Sequence, residues 1–316
     1  MDKKTRLLHA MNRLPVDRPP VGFWFHFPGE EGMGEKCVAA HLAYYNSIGV
    51  DFAKVMCDNY FAYPLPKIQK ASDWRQVRPL GGEHPFIRQQ IERVKAVKEG
   101  LKDDMCVFYN ILAPFSSIRN GSSDEMVMAH LKEDPAAVMQ ALEAVAEDNA
   151  LIAEKAIVEG GCTGAYCNVQ GGERDRMSYE QYREQITPSD RLVLDHANRF
   201  SANNILHCCG WAGVPNRLEV WQDYPAKAVN WAVFIEGMDL AEGQRFFGGK
   251  AVLGGFDNRP GGLLCTGGKE EIQAFARSLA QQVPSGLIIG ADCTLPADID
   301  RQRIQWVADA FAAQNA

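Results

Sequence analysis

The chain has 316 residues, 46% of them hydrophobic and 23% charged, with a net charge of −7. Those values fit a globular protein with a full-sized core and exclude disorder and fibre. Scattered lysines and arginines lack the footprint of a nucleic-acid binder, and no apolar stretch approaches the roughly 20 residues of a membrane span. The expected partners are therefore small molecules or proteins. The start Met1-Asp2-Lys3-Lys4 leads into a mixed helix rather than a signal-type core, so the expected location is the cytosol. The nine cysteines, two of them adjacent, form no regular disulfide framework and read as reduced thiols.

In chain order, a helix is predicted over residues 3–11, ahead of the first strand. Short β-rich runs then cover residues 21–25, 51–56, 106–112, 164–169, 204–209, 228–234, 251–256 and 287–291. Helix-like segments at 35–48, 85–99, 135–159, 179–200, 269–282 and 299–313 alternate with them. The alternation predicts one domain over 1–316, a single (β/α)8 TIM barrel with an extra N-terminal helix. An open doubly wound sheet is the alternative that the same pattern allows.

In such a barrel the functional site lies where the strands end. The residues there are His26, Asp58, Asn168, Gln170, His207, Cys209, Glu236, Asp257 and Cys293. In Ile205-Leu206-His207-Cys208-Cys209-Gly210, alternate strand residues share a face, so His207 and Cys209 point one way together. Cys293, closing the eighth run, can reach over the same mouth. One imidazole and two thiolates favour zinc, and three protein ligands leave one position open, as in a catalytic rather than a structural site. Unpaired cysteines otherwise serve as small apolar fillers, the reading preferred for Cys37, Cys57, Cys106, Cys162 and Cys265.

Several further stretches admit both a functional and a plain reading. Phe23, Trp24, Phe25, Phe27, Tyr60, Phe61 and Tyr63 line a pocket or fill the core. Glu236 and Asp257 act as a fourth ligand or an acceptor orienting His207, or else sit solvated in loops. The glycine-rich residues 254–262 bind an anion or simply turn. The charged residues 171–176 form a lid, a partner contact or plain surface.

The segments Val16-Asp17-Arg18-Pro19-Pro20-Val21, Gly49-Val50-Asp51-Phe52, Gly254-Gly255-Phe256-Asp257-Asn258 and Cys293-Thr294-Leu295-Pro296, with Asp58 and His207, resemble the uroporphyrinogen decarboxylase superfamily. Within it, the chain looks like the zinc-dependent, cobalamin-linked methyltransferases that methylate thiols such as coenzyme M. That resemblance implies a (β/α)8 barrel with His207, Cys209 and Cys293 as zinc ligands. It also implies a zinc-activated thiol as nucleophile and methylcobalamin or a corrinoid protein as methyl donor. Asp58, Asn168 and Glu236 would then face the substrate, with His26, Gln170 and Asp257 beside them.

Asp58 also sits where the decarboxylases keep an essential aspartate, so a carboxy-lyase without metal is the alternative. A non-catalytic zinc-binding protein is the third reading. No arginine occurs between Arg18 and Arg75, where a tetrapyrrole polyanion would need its carboxylate forks, which disfavours that substrate. A homodimer is a further expectation.

Overall fold

The structure, a computed structural model, describes residues 1–311. Seven parallel strands pair in chain order in one sheet. They are β1 Phe52–Val55, β2 Cys106–Leu112, β3 Gly164–Val169, β4 Ile205–Cys208, β5 Ala228–Trp231, β6 Ala251–Phe256 and β7 Leu287–Ala291. All but one of their residues are buried, which is why they read as continuous apolar runs rather than alternating ones.

Thirteen α-helices are described. The first six are α1 Lys3–Met11, α2 Gly34–Tyr45, α3 Pro85–Gly100, α4 Pro114–Gly121, α5 Asp124–Glu133 and α6 Pro135–Val158. The others are α7 Tyr179–Gln185, α8 Thr187–Ala197, α9 Val233–Glu236, α10 Leu240–Phe246, α11 Leu263–Thr266, α12 Lys269–Gln282 and α13 Arg301–Asp309. Side chains of Asp2, Ser123, Asp134, Ser178, Asp239 and Asp300 accept backbone N–H groups at helix starts, the preferred N-cap chemistry. No helix among the described residues is long and apolar enough to cross a membrane.

The expected strand over 21–25 is not one, so the eight-strand count becomes seven plus an irregular segment. That segment lies in the gap between the two edge strands. Gly22 N donates to Ile289 O at 2.9 Å and Leu295 N to Trp24 O at 3.0 Å, while Asp51 N donates to Val21 O at 2.7 Å. Because both edges reach the same segment, the sheet is curled. Pro19 and Pro20 supply no N–H donors, so only isolated bridges form. Gly22 permits the approach, since a Cβ there would stand 2.0 Å from the Phe52 ring.

Other boundaries moved for local reasons. The run over 179–200 breaks at Ile186 into α7 and α8, with Pro188 in the first turn of α8. The run over 228–234 stops at Trp231, and α9 follows until Gly237 ends it with φ +64. The last helix ends at Asp309; positions 312 and 313 of its expected range lie outside the described residues.

The inner face of the sheet is closed at its amino end by α1, whose Leu7, Ala10 and Met11 pack with Phe52, Cys106, Ile205, Ala228, Ala251 and Ile288. A charge network holds this plug. Asp51, fully buried, accepts from Arg6 at 2.6 Å, from Arg18 at 2.7 and 3.0 Å and from Val21 N at 2.7 Å. Asp17 binds Arg6 through two further bonds. The Val16-to-Val21 motif thus serves the closed end, leaving the carboxyl ends of the strands for chemistry.

Candidate metal centre

Strand alternation sorts the side chains of β4. Leu206 and Cys208 join the outer core, while His207 and Cys209 face the inner cavity. Cys293 arrives from the turn after β7. His207 Nε2 lies 3.5 Å from Cys293 Sγ, and the two sulfurs are 3.9 Å apart. The three ligand atoms all fall within 4.8 Å of one another. Tetrahedral zinc with ordinary bond lengths needs about 3.8 Å between sulfurs and about 3.5 Å between sulfur and nitrogen. The donor set and its spacing therefore fit that ion.

The histidine is aimed by a residue that strand-end reasoning passed over. Asn230, buried on β5, donates through Nδ2 to Leu253 O at 2.8 Å and Ala291 O at 3.2 Å. Its Oδ1 must then be the acceptor for His207 Nδ1, at 2.5 Å, and for Tyr166 Oη, at 2.8 Å. His207 accordingly carries its proton on Nδ1 and presents the Nε2 lone pair to the sulfurs, as a metal-ligating imidazole requires.

Cys209 is pushed well up by its contact with Cys293 and by burial. Cys293, in contact with Cys209 and facing His207, is held well down. Gln170 Nε2 also donates to Cys209 Sγ at 3.3 Å, and Arg119 binds Gln170 Oε1 behind it.

The three residues form one wall of a cavity of about 210 Å³, whose lining also includes His26, Asn168 and Gln170. His26 Nδ1 is 2.8 Å from Asp58 Oδ1, and Phe27 N donates to Asp58 Oδ2 at 3.3 Å. Asp58 thus stands behind His26 instead of on the wall. Glu236 turns away to Asn216, accepting from its N at 2.9 Å and its Nδ2 at 2.7 Å, and so pins the loop after β4. Asp257 is engaged with Arg259. Neither of these two carboxylates lines the cavity.

Phe61 reaches the wall, whereas Phe23, Phe25, Phe27 and Tyr63 belong to the core. In the 171–176 loop, Glu173 is buried with Arg176 2.7 Å away, and Arg176 also pairs with Asp124 on α5. Cys37, Cys57, Cys106 and Cys162 are buried and Cys265 is half-buried.

Lys54, Asn110, Arg119 and Trp211 also line the wall without having been singled out in the sequence. Arg119 stacks on Trp211 at 3.9 Å. A lysine inside the apolar run of β1 is itself a signal, because unpaired lysine is almost never fully buried.

Fold and site together define a curled parallel α/β sheet with a soft-ligand cluster at the carboxyl end of its strands. The chain belongs to the uroporphyrinogen decarboxylase (URO-D) family, whose profile matches residues 46–314. Among solved structures it is similar to a methyltransferase from Methanosarcina mazei, at 18% identity and TM-score 0.75 over 100% of both chains. A β-mannanase from the blue mussel Mytilus edulis follows at 10% identity and TM-score 0.53, covering 92% of each chain. An endo-glycoceramidase II from Rhodococcus sp. aligns at 9% identity and TM-score 0.51, over 92% of this chain and 78% of its own. At such identities the likeness is one of fold. No curated protein matches the sequence.

Proposed function

We propose that the protein is a zinc-dependent methyltransferase of the URO-D family, moving a methyl group between a corrinoid and a small thiol. The observation that carries this reading is the convergence of His207 Nε2, Cys209 Sγ and Cys293 Sγ on one wall of the cavity, within 4.8 Å of one another. Bound there, zinc would supply Lewis acidity that lowers the pKa of a thiol at its open position. The protein's own groups do the rest. Asn230 fixes the proton of His207 on Nδ1, Gln170 donates to Cys209, and the surrounding wall limits what enters.

Size supports the division of roles. A cavity of about 210 Å³ is below the roughly 300–1,000 Å³ of pockets for drug-sized ligands. It suits a small acceptor and is far too small for a corrin ring or a tetrapyrrole. The methyl donor is thus expected at the open end, presented by a corrinoid protein or as methylcobalamin. The carboxy-lyase reading is weaker, because Asp58 is engaged by His26 and Phe27 N and Arg119 is the only arginine among the lining residues described.

The test is elemental analysis of protein purified without chelator, with Cys209→Ser and Cys293→Ser alongside. About one zinc per chain is expected, lost in both variants, together with thiol-dependent demethylation of methylcobalamin by the wild type. Folded wild-type protein that stays metal-free when zinc is supplied would overturn the reading.

A further inference from the structure

One charge inside the sheet has no part in the scheme above. Lys54 is the third residue of β1, among Phe52, Ala53 and Val55, and is 2% exposed. Its backbone is tied through its amide and carbonyl to Tyr45 Oη, at 2.9 Å each. Its side chain enters the ring, where Nζ stands 3.7 Å from the centroid of Tyr166 and 4.5 Å from that of Trp24. The chain lines the same cavity as the three ligand residues. Among the described residues no carboxylate pairs with it.

A buried ammonium without a counter-anion is strongly disfavoured, and aromatic faces recover only part of the loss. Burial pushes the Lys54 pKa down to about 8, while Cys293, Cys57, Cys209 and Asp58 pull it back up. Two thiolates and a neutral imidazole around a divalent ion carry no net charge and would leave this cation unbalanced. A third thiolate brings the cluster to one net negative charge.

We propose that Lys54 is the counter-cation of the filled metal centre, stabilising the negative charge that a substrate sulfur adds to His207, Cys209 and Cys293. The inference rests on the thiol-binding reading above. It makes Lys54 a positioning residue for charge, indifferent to the rest of the acceptor. The bound thiol releases its proton to solvent, and the ammonium keeps all of its own.

The test uses the cobalt-substituted protein, titrated with ethanethiol, whose tail is neutral, and with 3-mercaptopropionate, whose tail is anionic. Binding is followed by cobalt–thiolate absorbance across the neutral pH range in wild type, Lys54→Met and Lys54→Arg. Lys54→Met is expected to take up cobalt normally and to bind both thiols about tenfold more weakly at neutral pH, with the half-binding pH raised by about one. Lys54→Arg should recover part of the loss. Unchanged binding in Lys54→Met, or a loss confined to 3-mercaptopropionate, would overturn the proposal, the second result assigning Lys54 to the tail instead. Wild-type cobalt protein that ignores both thiols would overturn the thiol reading itself, a distinguishable result.

Discussion

Asn230 illustrates how one amide can determine the chemistry of a neighbour it does not resemble. Two backbone carbonyls hold its Nδ2, so Oδ1 has no choice but to face His207. Asn230→Ala leaves the ligands in place but frees the imidazole to rotate and to change tautomer. Metal affinity measured by competition with a chromogenic chelator should fall about 10- to 100-fold, while the thermal transition of the metal-free protein moves far less.

A second buried residue, Asp190, makes a prediction about pH. Tyr182 and Tyr224 donate to its Oδ2 at 2.9 and 3.0 Å, but its Oδ1 is buried without a partner. Burial pushes its pKa from 3.8 up to about 7. The folded state therefore holds this proton more tightly than the unfolded state. The contribution to stability is complete below about 4, declines as pH rises and is lost above about 7. Asp190→Asn should remove that slope and be the more stable form at pH 8, by an amount on the order of a few kcal/mol. Urea unfolding at several pH values reads this directly, and a parallel decline in wild type and variant would refute it.

At the scale of elements, the positions best read from sequence were those where strand alternation and side-chain chemistry coincide. On β4 the period of two separates His207 and Cys209 from Leu206 and Cys208, so a short sequence window suffices. Cys293 was found because it follows an apolar run. The same reasoning loses force once the element type changes: β5 ends at Trp231, and α9 swings Glu236 round to Asn216. Lys54 and Asn230 escaped because they lie within strands, where only the curled sheet shows what a polar side chain meets. Their neighbours come from other elements far away in sequence. Gly254 on β6 is a related case, since at φ +140 a side chain there would press within 3.2 Å of Asn230 Nδ2.

The contact of α1 with the sheet also allows an energetic prediction. Asp51 is the common acceptor for Arg6 and Arg18. Asp51→Ala would take the carboxylate partner from Arg18 and leave Arg6 with Asp17 alone at a buried junction, at a cost of about 3–5 kcal/mol. Denaturant unfolding should register that loss. Replacing the exposed partners Lys36 and Glu30 should be nearly silent.

For the whole molecule, the curled sheet divides its labour between its ends. The amino end is filled by α1 and salt-bridged; the carboxyl end keeps the cavity and the two sulfurs. One feature of the seam bears on how a working molecule comes into being. Gly22 is bonded to Ile289, and Cys293 stands 86 positions beyond His207. During synthesis, a chain that has emerged through β6 possesses two of the three ligand side chains and no partner for the seam. Its ability to hold a metal ion should appear abruptly with the last stretch of translation, which makes metal capture a timestamp for completed folding.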